Sequence, residues 1–213
     1  MYREDVILPL VQGKRVLDCG GVDHCFVEHK RDEGSWLHDL ICDHSEECVG
    51  VDILEDRVKQ LNALDRYKFL VANVEQLGFQ EEFDVVVAGE LIEHIYNAGL
   101  FLDSAWRALK EKGILVITTP NYQAFSKMLY TVLQGKEVCH EEHTCYYSRQ
   151  TLSYLVKRHG FEVVDFHVLK RPARTRVKHW IRSAVHAIRP QLGEQLVLVA
   201  RKQGEQQKYS DKW

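Results

Sequence analysis

Short apolar runs alternate along this chain with segments whose apolar residues recur every three or four positions. The first run, Val16 and Leu17, breaks at Asp18 into a turn containing Gly20 and Gly21. The second, Cys48 to Val51, also closes on an acid, Asp52. Residues 67–72, 83–88 and 113–119 read as further strands, and Pro120 stops the last of them. The run at 83–88 is continuous and β-branched, as a strand buried on both faces should be. Between the runs, 35–41, 54–64 and 101–110 read as helices, the second with Val58, Leu61 and Leu64 on one side and the third followed by Gly113. Farther on, 148–159 reads as a helix closed by Gly160, and 161–169 and 194–201 as two more strands. Strands alternating with helices predict an α/β fold: a parallel sheet with right-handed crossovers and helices on both faces. The 213 residues suit one domain over 1–203, with a polar tail at 204–213 expected to fray.

Composition narrows the partners. A net charge of −3 gives no global pull toward nucleic acid or anionic lipid. No run approaches the roughly 20 apolar residues of a membrane span, and the opening residues lack a basic, then apolar leader, so a cytoplasmic setting is expected. The six cysteines form no CxxC pair. Cys19/Cys25, Cys42/Cys48 and Cys139/Cys145 recur at one interval without matching a metal-ligand pattern, and free thiols are expected. The exception to the even charge is 170–192, whose stretch 170–189 is basic and holds no acid. There Val177, Trp180, Ile181, Ala184, Val185 and Ile188 form one helical stripe flanked by Lys and Arg. Such a helix either packs its stripe on the domain or rests on an anionic membrane surface or an anionic substrate. Nucleic acid is the weakest of these partners, because aromatic residues are not interleaved with the charges.

Two neighbouring strand tips ending in carboxylates, with a glycine turn after the first, suggest a site for an adenosine-like ligand. Val22 and His24 stand where the dinucleotide fingerprint has its later glycines, so adenosine without phosphates fits better. Two polar clusters are candidates for proton transfer. One follows the fourth strand, with Glu90, Glu93 and His94; His94 either takes a proton or packs in a first helical turn, and Glu93 reads as structural or solvated. The other is 140–147, where His143 is the preferred base or orienting group and Tyr146 and Tyr147 are pocket walls. The spacing there is not HExxH, and no metal is expected. Asn121 and Tyr122 are expected on the acceptor side, with Phe125, Met128, Leu129 and Val132 as core contacts or, alternatively, a lid.

With these motifs in view, the chain resembles the class I S-adenosylmethionine-dependent methyltransferases. The resemblance rests on VLDCGG, VGVD, ANVEQL, FDVVVAGELIEHI and LKEKGILVITTPN, arriving in the family's order. HTCYYSRQTLSYLVKRHGFEVVDF is similar to the tail of the subgroup containing ubiquinone-type O-methyltransferases. The resemblance implies a sheet of order 3-2-1-4-5-7-6 with the last strand antiparallel, and S-adenosylmethionine as cofactor. It places Asp18, Gly20 and Gly21 at the methionine moiety, Asp52 on the ribose hydroxyls and Ile53 against the adenine. Asn73 and Val74 would lie beside the adenine ring, and Ala88, Gly89 and Glu90 would line the cofactor. The implied activity is methyl transfer to a small-molecule, lipid-linked or sugar-linked acceptor, with oxygen the first expectation. N-methylation of a small molecule or protein, and a non-catalytic cofactor-binding module, are the alternatives.

Overall fold

The strands of the computed structural model are β1 (Arg15–Cys19), β2 (Glu47–Asp52), β3 (Phe69–Val71), β4 (Phe83–Gly89), β5 (Leu109–Pro120), β6 (Phe161–Leu169) and β7 (Gln195–Lys202). The structure describes residues 1–22, 27–171 and 176–204, and within 176–188 the side chains of 180 and 183–188 alone. The expected fraying of the tail, and His24 and Cys25, therefore lie outside the described residues. One sheet runs β3-β2-β1-β4-β5-β7-β6, with β7 antiparallel to both neighbours and every other pair parallel. This is the order that the resemblance implies.

Alternation along the strands sorts side chains onto two faces. Leu17, Val86, Ala88, Leu115, Ile117 and Leu198 share one core with α5 (Ala98–Ala108) and α7 (Arg149–Arg158). Val16, Val85, Val87, Val116 and Val199 face the other way, onto α1 (Arg3–Val11) and α3 (Leu37–His44). The remaining helices are α2 (Val27–Asp32), α4 (Glu55–Asn62), α6 (Phe125–Gln134) and α8 (Arg176–Ile188). The start of α7 is set locally: Ser148 Oγ accepts from the Thr151 amide at 3.2 Å while Thr151 Oγ1 accepts from the Ser148 amide at 3.0 Å.

Four local expectations change. Helix α1 was not visible in the pattern because Pro9 lies inside it and reads as a breaker, yet Ile7 and Val11 bury against α3. Leu64 falls beyond α4 and is exposed, leaving Val58 and Leu61 as its buried side. The helix expected to reach residue 110 ends at Ala108, and β5 starts at once, because Leu109 pairs with Phe83. Helix α6 buries none of its residues, so Met128, Leu129 and Val132 are not core contacts.

One close approach fixes the edge of the sheet beside the ligand side. A Cβ built on Gly50 would lie 2.2 Å from the Phe69 ring, whose centroid is 4.2 Å from that of His38. Gly50→Ala is therefore expected to destabilise the fold by roughly 1–3 kcal/mol, read as a lowered thermal midpoint. An unchanged midpoint would mean that Phe69 can vacate the space.

Candidate functional site

The C-terminal tips of β1, β2 and β4 lie side by side, with Cys19 paired to Val51 on one side and Ala88 on the other. Gly20 follows with φ +71°, a left-handed conformation that an L side chain resists, and its amide bonds the Val51 carbonyl at 2.8 Å. The turn is held from behind, where Trp36 Nε1 donates to the Gly21 carbonyl at 3.0 Å and His38 Nδ1 lies 2.8 Å from Asp18 Oδ2. Asp52 is buried, and its two oxygens accept the amides of Val22 and Leu54, each at 3.1 Å. The neighbouring Ile53 is 69 % exposed, an apolar surface beside a buried acid, which suits a purine next to a hydroxylated sugar. Asn73 caps the 3-10 turn Val74–Gln76, its Oδ1 accepting from the Glu75 amide at 2.9 Å, and the Val74 side chain is in the core. Ala88 is fully buried, and a Cβ on Gly89 would meet Leu37 at 2.9 Å. Glu90 has φ +55°, and its carboxylate pairs with Arg171 and accepts from Gln195 Nε2 at 2.9 Å.

A second cluster stands past the end of β4. Glu93 is 2 % exposed rather than solvated. Its Oε2 accepts from Thr119 Oγ1 at 2.9 Å, and its Oε1 has no hydrogen-bond partner among the described residues. Burial pushes its pKa up to about 7, with the Thr119 bond opposing part of that shift. His94 lies in a turn, not in the helix's first turn, and its ring meets that of His143 edge-to-face with centroids 4.6 Å apart. His140 stands 5.6 Å from His143. Burial, and then the neighbouring His94 and His140, push the His143 pKa down to about 4, so its imidazole is neutral near pH 7. Thr144 brings the two stretches together, donating its amide to the Glu93 carbonyl at 2.8 Å and lying 2.8 Å through its hydroxyl from the Ile95 carbonyl.

Donor atoms of Glu93, His94 and His143 all fall within 4.8 Å of one another, a set that could hold a divalent cation. The expectation of no metal rested on local spacing, whereas His143 meets Glu93 and His94 only through the fold. Thr119, Thr144 and Glu93 lie inside the motifs that carry the resemblance, yet no local feature of the sequence marks the two threonines as partners of Glu93 or Glu93 as buried.

On the acceptor side the expected residues divide. Tyr122 is exposed and its ring lies 5.3 Å from that of Tyr146. Tyr147 is buried against the core and also lines the cavity beside the histidine loop. Asn121 is a correction: it is buried, and its Nδ2 donates to the carbonyls of Gln191 and Gly193 at 3.0 and 2.7 Å, because the turn before β7 needs those bonds. A cavity of about 760 Å³ opens beside the histidine loop, lined among others by Tyr96, Thr144, Tyr146, Gln150 and Tyr154, and among the described residues no charged side chain lines it. In the basic segment, Trp180 is 74 % and Ile188 70 % exposed, so these two members of the stripe do not pack on the domain. The side chains of Val177 and Ile181 lie outside the described residues. No described helix is long and apolar enough to cross a membrane.

Comparison with known proteins bears on this arrangement. A family profile described as a methyltransferase domain matches residues 4–165. A protein of Mycolicibacterium smegmatis, named a probable S-adenosylmethionine-dependent methyltransferase, is 30 % identical over 129 residues, covering 60 % of this chain and 48 % of that protein. A ubiquinone biosynthesis O-methyltransferase of Bradyrhizobium diazoefficiens is 40 % identical over 48 residues, 22 % of this chain and 19 % of its own. The chain thus spans about half the length, or less, of these curated relatives. Among solved structures, a S-adenosylmethionine-dependent methyltransferase from Archaeoglobus fulgidus superposes with a TM-score of 0.63 at 20 % identity, covering 94 % of this chain and 91 % of that one. One from Listeria monocytogenes gives 0.65 at 15 % identity, covering 94 % and 95 %. At these identities the structures bear on the fold alone.

Proposed function

This chain belongs to the class I S-adenosylmethionine-dependent methyltransferases, and from that membership we propose that it methylates a hydroxyl oxygen on an uncharged small-molecule, lipid-linked or sugar-linked acceptor. The observation that carries the choice of oxygen is the cluster of Glu93, His94 and His143 past the end of β4. A hydroxyl must lose a proton as it becomes an ether, whereas a neutral amine can attack without a base.

When bound, S-adenosylmethionine supplies a methyl group on a sulfonium leaving group. Asp52 takes the ribose hydroxyls, Ile53 supports the adenine, and Asp18 with the Gly20–Gly21 turn forms the floor under the methionine part. His143, neutral near pH 7, accepts a hydrogen bond from the acceptor hydroxyl and orients it. Glu93, with a pKa near the working pH, is the group matched to holding the proton that leaves. Tyr122 and Tyr146 wall the acceptor, and the uncharged lining of the adjoining cavity supports a neutral one. Exposed Trp180 and Ile188 among basic residues favour a lipid-linked acceptor met at an anionic membrane surface. A second reading keeps the same three side chains and adds a divalent cation; the buried Glu93 Oε1, without a hydrogen-bond partner among the described residues, favours it.

Calorimetric titration with S-adenosylmethionine, followed by a tritiated-methyl transfer screen on cell extract fractions, tests the proposal. Binding and labelling of a hydroxylated product are expected; no binding at millimolar cofactor would overturn it. On the acceptor found, His143→Ala is expected to lower turnover by roughly 100-fold or more while leaving cofactor affinity unchanged. Full turnover in that variant would remove the cluster from proton transfer. Loss of activity under chelation, restored by a divalent cation, would select the second reading.

A further inference from the structure

Behind the glycine turn lies a second group of donors, His38, Cys42 and Cys48, that methyl transfer does not use. His38 and Cys42 stand one helical turn apart on α3, and Cys48 lies on the adjoining β2. One donor atom from each falls within 4.8 Å of the other two. Cys48 Sγ is 3.8 Å from His38 Nδ1, and the same Nδ1 is 2.8 Å from Asp18 Oδ2. We propose that Cys42, Cys48 and His38 form a three-donor binding site for a single thiolate-seeking d10 cation such as Zn²⁺.

The three donors suit three corners of a tetrahedral site, with the fourth left to water. With Zn–S near 2.3 Å and Zn–N near 2.0–2.1 Å, neighbouring ligand atoms on a tetrahedron stand about 3.3–3.8 Å apart. The Cys48–His38 separation already matches that edge. Asp18 Oδ2 lies 2.8 Å from the same Nδ1, and its carboxylate beside the three donors favours a cation there. Two sulfurs and one imidazole make a donor set that selects zinc-like ions over magnesium or calcium.

The surroundings are those of a closed site. His38, Cys48 and Asp18 are buried, and Cys42 is half-buried, which leaves the α3 side as the way in. Trp36, Tyr67 and Phe69 pack around the His38 ring, with centroids 5.1, 5.8 and 4.2 Å away, fixing its orientation and excluding water. The shared interval of Cys42 and Cys48 in the sequence carries no such meaning alone, since Cys139 and Cys145 share it and are exposed.

The test is titration of the reduced, metal-free full chain with Co²⁺ as a spectroscopic substitute, followed by competition with Zn²⁺. Thiolate-to-cobalt charge-transfer absorption saturating at one equivalent and abolished by Zn²⁺ is expected. The Glu93 cluster offers no sulfur, so Co²⁺ bound there cannot produce that absorption. Cys42→Ser and Cys48→Ser should each weaken binding by at least about 10–100-fold. His143→Ala should leave the absorption unchanged. No thiolate absorption in the reduced wild-type chain at excess Co²⁺ would overturn the proposal, whether or not the serine variants fold. So would absorption that survives in both serine variants.

Discussion

Asp52→Ala is expected to weaken S-adenosylmethionine binding by about 100-fold or more. Hydrogen bonds to a charged acceptor contribute roughly 1.5–3 kcal/mol each, and the proposed pose has this carboxylate accept from the ribose hydroxyls. Two such bonds lost at the low end already amount to about 3 kcal/mol, where each ~1.4 kcal/mol is tenfold. The structure adds a second cost, because the same oxygens accept the amides of Val22 and Leu54. Removing the carboxylate leaves those donors without it in a buried setting, so the variant should also lose stability, by roughly 1–3 kcal/mol for each amide that water cannot reach. Calorimetry on the folded fraction separates the two effects. Unchanged affinity alongside reduced stability would show that Asp52 only braces the turn.

The second large effect concerns Glu93→Gln in metal-free protein. The folded-state pKa of Glu93 is raised from 4.5 to about 7, chiefly by burial. A group with a raised pKa contributes stability that is fully present below its unfolded value. That contribution is lost as pH rises through the folded value, because the native state then gives up a proton it held more tightly. Wild type should therefore lose on the order of 3 kcal/mol from this site between about pH 4.5 and pH 8. Glutamine has nothing to titrate. The variant should be the more stable of the two at about pH 8, and the difference should close as pH falls toward 4.5.

His143 works in the opposite sense. Its folded pKa is lowered from 6.5 to about 4, so its contribution is present above 6.5 and lost as pH falls through 4. Both proteins carry His143, so their difference largely isolates Glu93. Turnover should fall by roughly 100-fold or more in the same variant if Glu93 holds the proton. A stability difference independent of pH would sink the account of a strained buried carboxylate. The combination of higher stability and lower activity is what a group kept in an unfavourable environment for its chemistry should show.

Much of the sheet could be read directly from local pattern. The strands at Val16, Val49, Val86 and Ile117 are short apolar runs stopped by an acid, glycine or proline, and their burial follows; their order in the sheet is what the resemblance implies. Asp18, Gly20 and Asp52 were legible because a strand tip is a local feature. Glu93 was not. Nothing near it distinguishes a solvated acid from one that is 2 % exposed. Asn121 misled for the reverse reason: its position after β5 suggested a ligand contact, while its amide is spent on the carbonyls of a turn 70 and 72 residues away.

Sequence alone therefore determined the succession of strands and helices, the family and the carboxylates at the strand tips, all of which depend on neighbours a few residues apart. Tertiary structure decided which polar groups lost their water and which met. Thr144 reaches the Glu93 carbonyl across 51 positions, and Asp18 reaches His38 across 20. Desolvation and proximity, which move the Glu93 and His143 pKa values in opposite directions, are properties of packed space, and no spacing along the chain encodes them.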